Sequence, residues 1–140
     1  MENWENGLAW NEKFNTGNEK VDEQHKTIFK LISDMVEAQI KNESKEKLGE
    51  ILDFLVNYTV EHFFYEEMFM LEIDYLNYAN HKRLHEDFKA TVTQIQENYR
   101  KQGTTDELMD IVNKTVITWV IQHIQREDVK IFDSCSIKNI

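Results

Sequence analysis

No proline occurs in this 140-residue chain, and only four glycines do. Folds rich in strands reverse the chain every few residues and lean on these two residue types to do it. Their scarcity excludes most β-sandwiches and barrels and favours long uninterrupted helices. The one cysteine, Cys135, rules out an internal disulfide framework and any thiolate-rich zinc site, and it fits a reducing, cytoplasmic setting. Positive charge is scarce too: 16 lysines and arginines against 26 aspartates and glutamates leave a net charge of -10. Binding to nucleic acid draws most of its affinity from basic side chains that neutralise phosphates, so no nucleic-acid partner is expected. No stretch of about 18 apolar residues exists to cross a bilayer. The first ten residues carry Glu2 and Glu5 and no basic group, so nothing there directs export or membrane insertion.

What is present is helical periodicity. The length suits one domain spanning 1–140, and apolar residues recur every three or four positions in four blocks separated by short polar or glycine-containing segments. The first block, about 21–40, aligns Val21, His25, Ile28, Phe29, Ile32, Met35 and Val36. The second, about 47–71, aligns Ile51, Leu52, Leu55, Tyr58, Thr59, His62, Glu66 and Phe69. The third, about 80–99, aligns His81, Leu84, His85, Phe88, Val92, Ile95 and Tyr99, and stops at Arg100, Lys101 and Gly103. The fourth, about 105–131, opens on a Thr105 cap and aligns Leu108, Ile111, Val112, Thr115, Trp119, Val120 and His123. The expected fold is all-α, an up-down-up-down four-helix bundle over 19–133. An aromatic N-terminal arm over 1–18, with Trp4, Trp10 and Phe14, packs across it as ordered coil, and 134–140 form a frayed tail.

All five histidines, His25, His62, His81, His85 and His123, fall on these apolar stripes. Each imidazole buried without a partner would cost on the order of 1–3 kcal/mol, and a shared metal site removes that cost. Residues at i and i+4 lie one turn apart on one face and converge on one cation. His62 with Glu66, and His81 with His85, meet this spacing, and all four helices then contribute donors. On the fourth helix Glu127 lies at i+4 from His123 and Asp128 at i+5. Ideal geometry prefers Glu127, because an i+5 partner lies roughly 140° round the cylinder, and the pattern by itself leaves both open.

Imidazole and carboxylate without thiolate suit iron, manganese, copper or zinc. Seven donors are too many for one tetrahedral zinc and suit two six-coordinate ions sharing carboxylates. Ferritin-like di-iron oxidases use glutamate-rich sets with Glu-x-x-His pairs, and no such pair occurs here. A site rich in neutral imidazole favours reversible binding over high-valent oxidation chemistry.

The segments Val21-Asp22-Glu23-Gln24-His25, His62-Phe63-x-x-Glu66-Glu67, His81-x-x-x-His85 and His123-Ile124-x-x-x-Asp128 closely resemble the hemerythrin family, specifically its free-standing bacterial members. The resemblance covers nearly the whole chain. It implies a carboxylate- and oxo- or hydroxo-bridged pair of irons, one held by His81, His85 and His123 and the other by His25 and His62. Glu66 and Asp128 are the implied bridges, and dioxygen is the implied ligand at an open position on the two-histidine iron. Choosing Asp128 over Glu127 in this way implies a π-type widening of the fourth helix. Phe63, Trp119 and Val120 fall where the family's pocket residues lie. The function implied is dioxygen transport, storage or delivery to an oxygen-using enzyme, without catalysis. The alternatives carried with it are a di-iron oxidase, a peroxidase, a nitric-oxide-handling enzyme, or an oxygen sensor acting through a partner.

Overall fold

A computed structural model describes Trp10 and residues 14–131. Trp4, Cys135 and the tail expected over 134–140 lie outside the described residues. Helix α1, Glu19–Ile40, starts where the Asn18 side chain accepts a hydrogen bond from the Val21 amide at 3.1 Å. Helix α2, Lys45–Glu72, starts on Ser44 in the same manner. Helix α3, Tyr78–Gln102, ends at Gly103, whose amide still donates to the Tyr99 carbonyl at 2.7 Å and whose positive φ of 75° turns the chain out of the helix. The fourth helix opens on Thr105, which caps the Leu108 amide at 3.1 Å. It is composite: α4, Asp106–Ile111, then a π segment Val112–Ile117, then α5, Thr118–His123, and a second π segment Ile124–Asp128. The four helices form an up-down-up-down bundle, with no strand among the described residues.

Helix α1 buries every residue the periodicity assigns to its inner face, and Ala38 besides. On α2 the inner face is turned slightly from expectation. Ile51, Tyr58 and Phe69 are only half-buried, whereas Val56, Phe63, Glu67 and Met70 are buried, because α2 packs against both α1 and α3. Gly49 permits one of these close approaches, since a Cβ there would collide with the Tyr99 ring of α3.

The fourth helix departs most from an ideal cylinder. Ile111 is 42 % exposed, and Thr115 and Trp119 are half-buried. The buried stripe instead takes every fourth residue: Leu108, Val112, Val116, Val120, Ile124 and Asp128, each 2 % exposed or less. From Leu108 to Asp128 an ideal helix would make about five and a half turns and put the two residues on opposite faces. Each π segment absorbs about one extra residue, which leaves about five whole turns and returns Asp128 to the inner face. A reciprocal amide pair holds the first π segment against α1, Gln39 Nε2 donating to Asn113 Oδ1 and Asn113 Nδ2 to Gln39 Oε1, both at 3.0 Å.

From the arm, Trp10 and Phe14 pack on the core, with Phe14 stacked on Phe29 at 5.5 Å. Most of the apolar core fills the bundle on one side of the histidines. On the other side Val21, Met70 and Ile131 form a second, smaller apolar cluster with Phe69, Tyr75 and Tyr78 around it. The polar layer between the two is therefore closed at both ends.

Candidate metal centre

Each helix delivers its donors by a different local device. Helix α1 offers His25 one turn after the buried Val21, and α3 offers His81 and His85 one turn apart. Helix α2 gives His62 and Glu66 at i and i+4 of a regular α-helix, whereas the fourth helix needs its second π segment to bring Asp128 to the same side as His123. All seven residues are brought together, each 5 % exposed or less. Glu127, the partner ideal geometry prefers, turns instead toward Lys130 at 3.6 Å and stays partly exposed.

The donor atoms fall into two sets that share the two carboxylates. In one, Nε2 of His81 lies 3.0 Å from Glu66 Oε1 and 3.1 Å from Asp128 Oδ1, with His123 Nε2 also 3.1 Å from Asp128 Oδ1 and His85 Nε2 3.4 Å from Glu66 Oε1. In the other, His62 Nε2 lies 2.9 Å from Glu66 Oε2, and His25 Nε2 lies 3.1 Å from Asp128 Oδ2 and 3.0 Å from His62 Nε2. Each carboxylate thus offers one oxygen to each set.

These contacts are too many for hydrogen bonding to satisfy. His123 Nε2 lies 3.0 Å from His85 Nε2 and 3.1 Å from His81 Nε2, yet a ring nitrogen carries at most one hydrogen. Both Asp128 oxygens and Glu66 Oε2 are buried with no hydrogen-bond partner among the described residues. A cation in each set resolves this. Metal bonds of about 2.1 Å place octahedral neighbours about 3.0 Å apart and tetrahedral ones about 3.4 Å apart, and most of the measured separations match the octahedral value. The residues present fit two six-coordinate ions.

Electrostatics point the same way. Burial by itself would depress the His25 and His81 pKa values, but the Asp128 and Glu66 carboxylates beside each raise both to about 9. Burial likewise opposes His85, and Glu66 and Glu67 raise it. Burial would push Glu66 up, yet the surrounding His62, His25 and His81 hold it well below the ordinary carboxylate range. Asp128, which burial and Glu66 push up, is held low by His123 and His25. Two buried anionic carboxylates thus call for positive charge between them, from protons on imidazole or from metal ions.

Two supporting contacts were not foreseen from the sequence. His62 Nδ1 donates to Gln24 Oε1 at 2.7 Å, and His85 Nδ1 donates to Glu67 Oε2 at 2.9 Å. Each fixes the ring so that Nε2 faces the donor set. Both partners adjoin a candidate donor in sequence, Gln24 beside His25 and Glu67 beside Glu66, but each serves a histidine on another helix, which no spacing along the chain reveals. Of the three expected pocket residues, Phe63 stacks on His85 with centroids 3.8 Å apart and planes at 6°, and Trp119 stacks on His123 at 4.5 Å and 10°. Both rings therefore lie against the three-histidine set. Val120 is buried in the core. Trp10 approaches His25 at 6.4 Å.

The chain matches the hemerythrin HHE cation binding domain over residues 16–135. The bacteriohemerythrin of Pseudomonas aeruginosa (strain UCBPP-PA14) is 30% identical over 128 residues, 91% of this chain and 80% of that protein. The bacteriohemerythrin of Clostridium acetobutylicum is 30% identical over 133 residues, 90% of this chain and 99% of its own. The myohemerythrin of Theromyzon tessulatum is 30% identical over 121 residues, 86% and 88% of the two chains. A crystal structure of a point mutant of another protein superposes with a TM-score of 0.74 at 26% identity, covering 86% of this chain and 91% of that one. With a cation binding domain matched over most of its residues and relatives aligned along most of their own length, the chain belongs to the hemerythrin family.

Proposed function

We propose that this protein binds dioxygen reversibly at two iron ions, and so carries, stores or delivers it, without turning over a substrate. His81, His85 and His123 hold one ion, His25 and His62 the other, and Glu66 and Asp128 bridge them. The observation that carries this reading is the division of each bridging carboxylate, one oxygen to either donor set. Two ferrous ions held this way would supply the two electrons on which reversible dioxygen binding depends.

The chain's own residues do the rest. Five side chains offer a donor to the set built on His81, His85 and His123, and four to the set built on His25 and His62, so the less crowded half is where a small ligand finds room. Gln24 and Glu67 hold two of the imidazoles in the orientation that aims Nε2 inward. Phe63 and Trp119 back the three-histidine half with aromatic surface, Val120 adds aliphatic surface, and Trp10 covers His25. Together with the apolar clusters at either end they keep out the water, protons and anions in whose presence dioxygen would oxidise such a site irreversibly. No helix of the described residues is long and apolar enough to cross a membrane, and the single cysteine supports a reducing, cytoplasmic setting. A recipient for delivered dioxygen would be an oxygen-using enzyme.

The test is to reduce the iron-loaded protein anaerobically, admit air, and follow the visible spectrum and iron content while dioxygen is removed again. Two irons per chain and a colour that bleaches on deoxygenation are expected. Direct conversion to a ferric form with release of peroxide or water would replace the carrier reading with an oxidase or peroxidase.

A further inference from the structure

The two donor sets share Glu66 and Asp128 but are backed by different chemistry. His62 of the two-histidine set gives its Nδ1 hydrogen to Gln24 Oε1 at 2.7 Å, a neutral amide. His85 of the three-histidine set gives the same hydrogen to Glu67 Oε2 at 2.9 Å, a carboxylate. Both acceptors fix a ring, but only the carboxylate also pushes charge onto it, and an imidazole bonded to an anion is the more basic ligand. The rings differ in support as well. Phe63 lies flat on His85 at 3.8 Å and Trp119 flat on His123 at 4.5 Å, whereas Trp10 meets His25 tilted by 39° at 6.4 Å. Each set has one buried Nδ1 with no hydrogen-bond partner among the described residues, on His25 and on His81, so the contrast lies in Gln24, Glu67 and the stacked rings.

We propose that the two positions fill in a fixed order, the three-histidine set first and the two-histidine set second, and that Glu67 and Gln24 set the difference between them. Five donors against four favour the same order. The ions also act on each other. One divalent ion balances the two shared carboxylates, and a second enters against the charge of the first in a buried layer where solvent screens little. Filling is therefore stepwise, and the backing of His85 and His62 decides which step comes first. The consequence for dioxygen rests on the proposed function. A chain with only the first ion lacks the second electron that reversible binding needs, so the weaker second step is the one that makes the centre competent.

Titration of the metal-free full chain with cobalt(II) under nitrogen, followed by visible absorption and chelator competition, tests this without dioxygen. The wild type is expected to bind two ions in two steps whose dissociation constants differ at least about tenfold. His62→Ala keeps the tighter step and loses the weaker, and His123→Ala loses the tighter. Gln24→Glu, which backs His62 with a carboxylate, tightens the weaker step about tenfold. Glu67→Gln, which keeps the hydrogen bond and removes the charge, weakens the tighter step by about as much. Each of these two conservative changes narrows the interval between the steps, and circular dichroism of every variant checks that it is folded. Binding of both ions in a single step overturns the proposal. So does loss of the tighter step in His62→Ala rather than in His123→Ala, or an interval that neither Gln24→Glu nor Glu67→Gln narrows. Ordered cobalt binding in a chain whose iron form does not bind dioxygen reversibly upholds the filling order and overturns the carrier reading instead.

Discussion

Helix α2 and the fourth helix each deliver one histidine and one carboxylate to the same centre, and they do so by opposite means. In α2 the pair is His62 and Glu66, four residues apart on an unbroken 28-residue helix. In the fourth helix it is His123 and Asp128, five residues apart, and two π segments set the phase. A regular helix can aim an i+4 pair with no special device. An i+5 pair needs a wider helix, and here the widening starts well before the site, at Val112. The donor that looks misplaced by local spacing is correctly placed once the whole helix is considered.

The sharpest way to break this comparison is to remove the two candidate carboxylates of the fourth helix separately. Asp128→Ala deletes an oxygen from both donor sets and is expected to abolish loading of two metal ions per chain, measured by metal analysis after loading and gel filtration. Glu127→Ala is expected to leave both ions in place. If Glu127→Ala were the damaging change, the ideal i+4 geometry would govern after all and the π segment would have no part in ligation.

This contrast also marks how far the sequence could be read. Helix α1 was legible down to its inner face, because it is a regular helix and each apolar residue lies where a period of 3.6 puts it. His62 with Glu66 and His81 with His85 were legible for the same reason. The fourth helix was not, since a stripe with a stride of four drifts by about 40° per step on an ideal cylinder and reads as no single face. Resemblance to a family, not periodicity, selected Asp128. The run Leu108, Val112, Val116, Val120, Ile124 was nevertheless a visible signal of a wider helix. Contacts across helices, such as Gln24 to His62 and Phe63 to His85, were out of reach. A sequence specifies faces, and which residues meet across them depends on how the helices pack.

Next in size is the effect of the groups that orient the ligands. Glu67 lies on α2 directly beside Glu66 but serves His85 of α3. Glu67→Ala is expected to weaken metal binding by about 10–100-fold while leaving two ions per chain at saturation. Competition with a chelator reads the affinity and metal analysis the stoichiometry. Loss of stoichiometry as severe as that of Asp128→Ala would make Glu67 a ligand and misassign the carboxylate of α2.

Helix α2 keeps its regularity with one glycine in its interior. Gly49→Ala would ordinarily gain up to about 1 kcal/mol of helix propensity, but the new Cβ would meet the Tyr99 ring of the neighbouring helix. Displacing a packed aromatic costs typically about 1–3 kcal/mol, so a net loss in melting temperature is expected. Gly49→Ala combined with Tyr99→Leu should recover part of it. A gain in the single variant would mean that α2 and α3 are free to move apart.

The smallest effect falls on the device that fixes the phase of the fourth helix. Gln39 and Asn113 satisfy each other through two hydrogen bonds between α1 and the first π segment, and Asn113 O also accepts a bond from Thr118 Oγ1 at 3.0 Å. Asn113→Ala leaves the Gln39 amide without its partner, a cost of about 1 kcal/mol because the site is only partly buried. Gln39→Ala should cost a similar amount, and the double variant less than the sum of the two, since the bonds are shared. If the pair does no more than join two helices, both single variants lower the melting temperature and leave metal affinity alone. If it holds the π segment, Asn113→Ala also weakens binding at a centre ten residues further along the helix, whereas the Ser44→Ala cap variant, at the start of the regular α2, lowers stability by a comparable amount with no change in affinity. That difference between two equally small losses of stability is what separates a helix whose phase must be held from one whose phase is intrinsic.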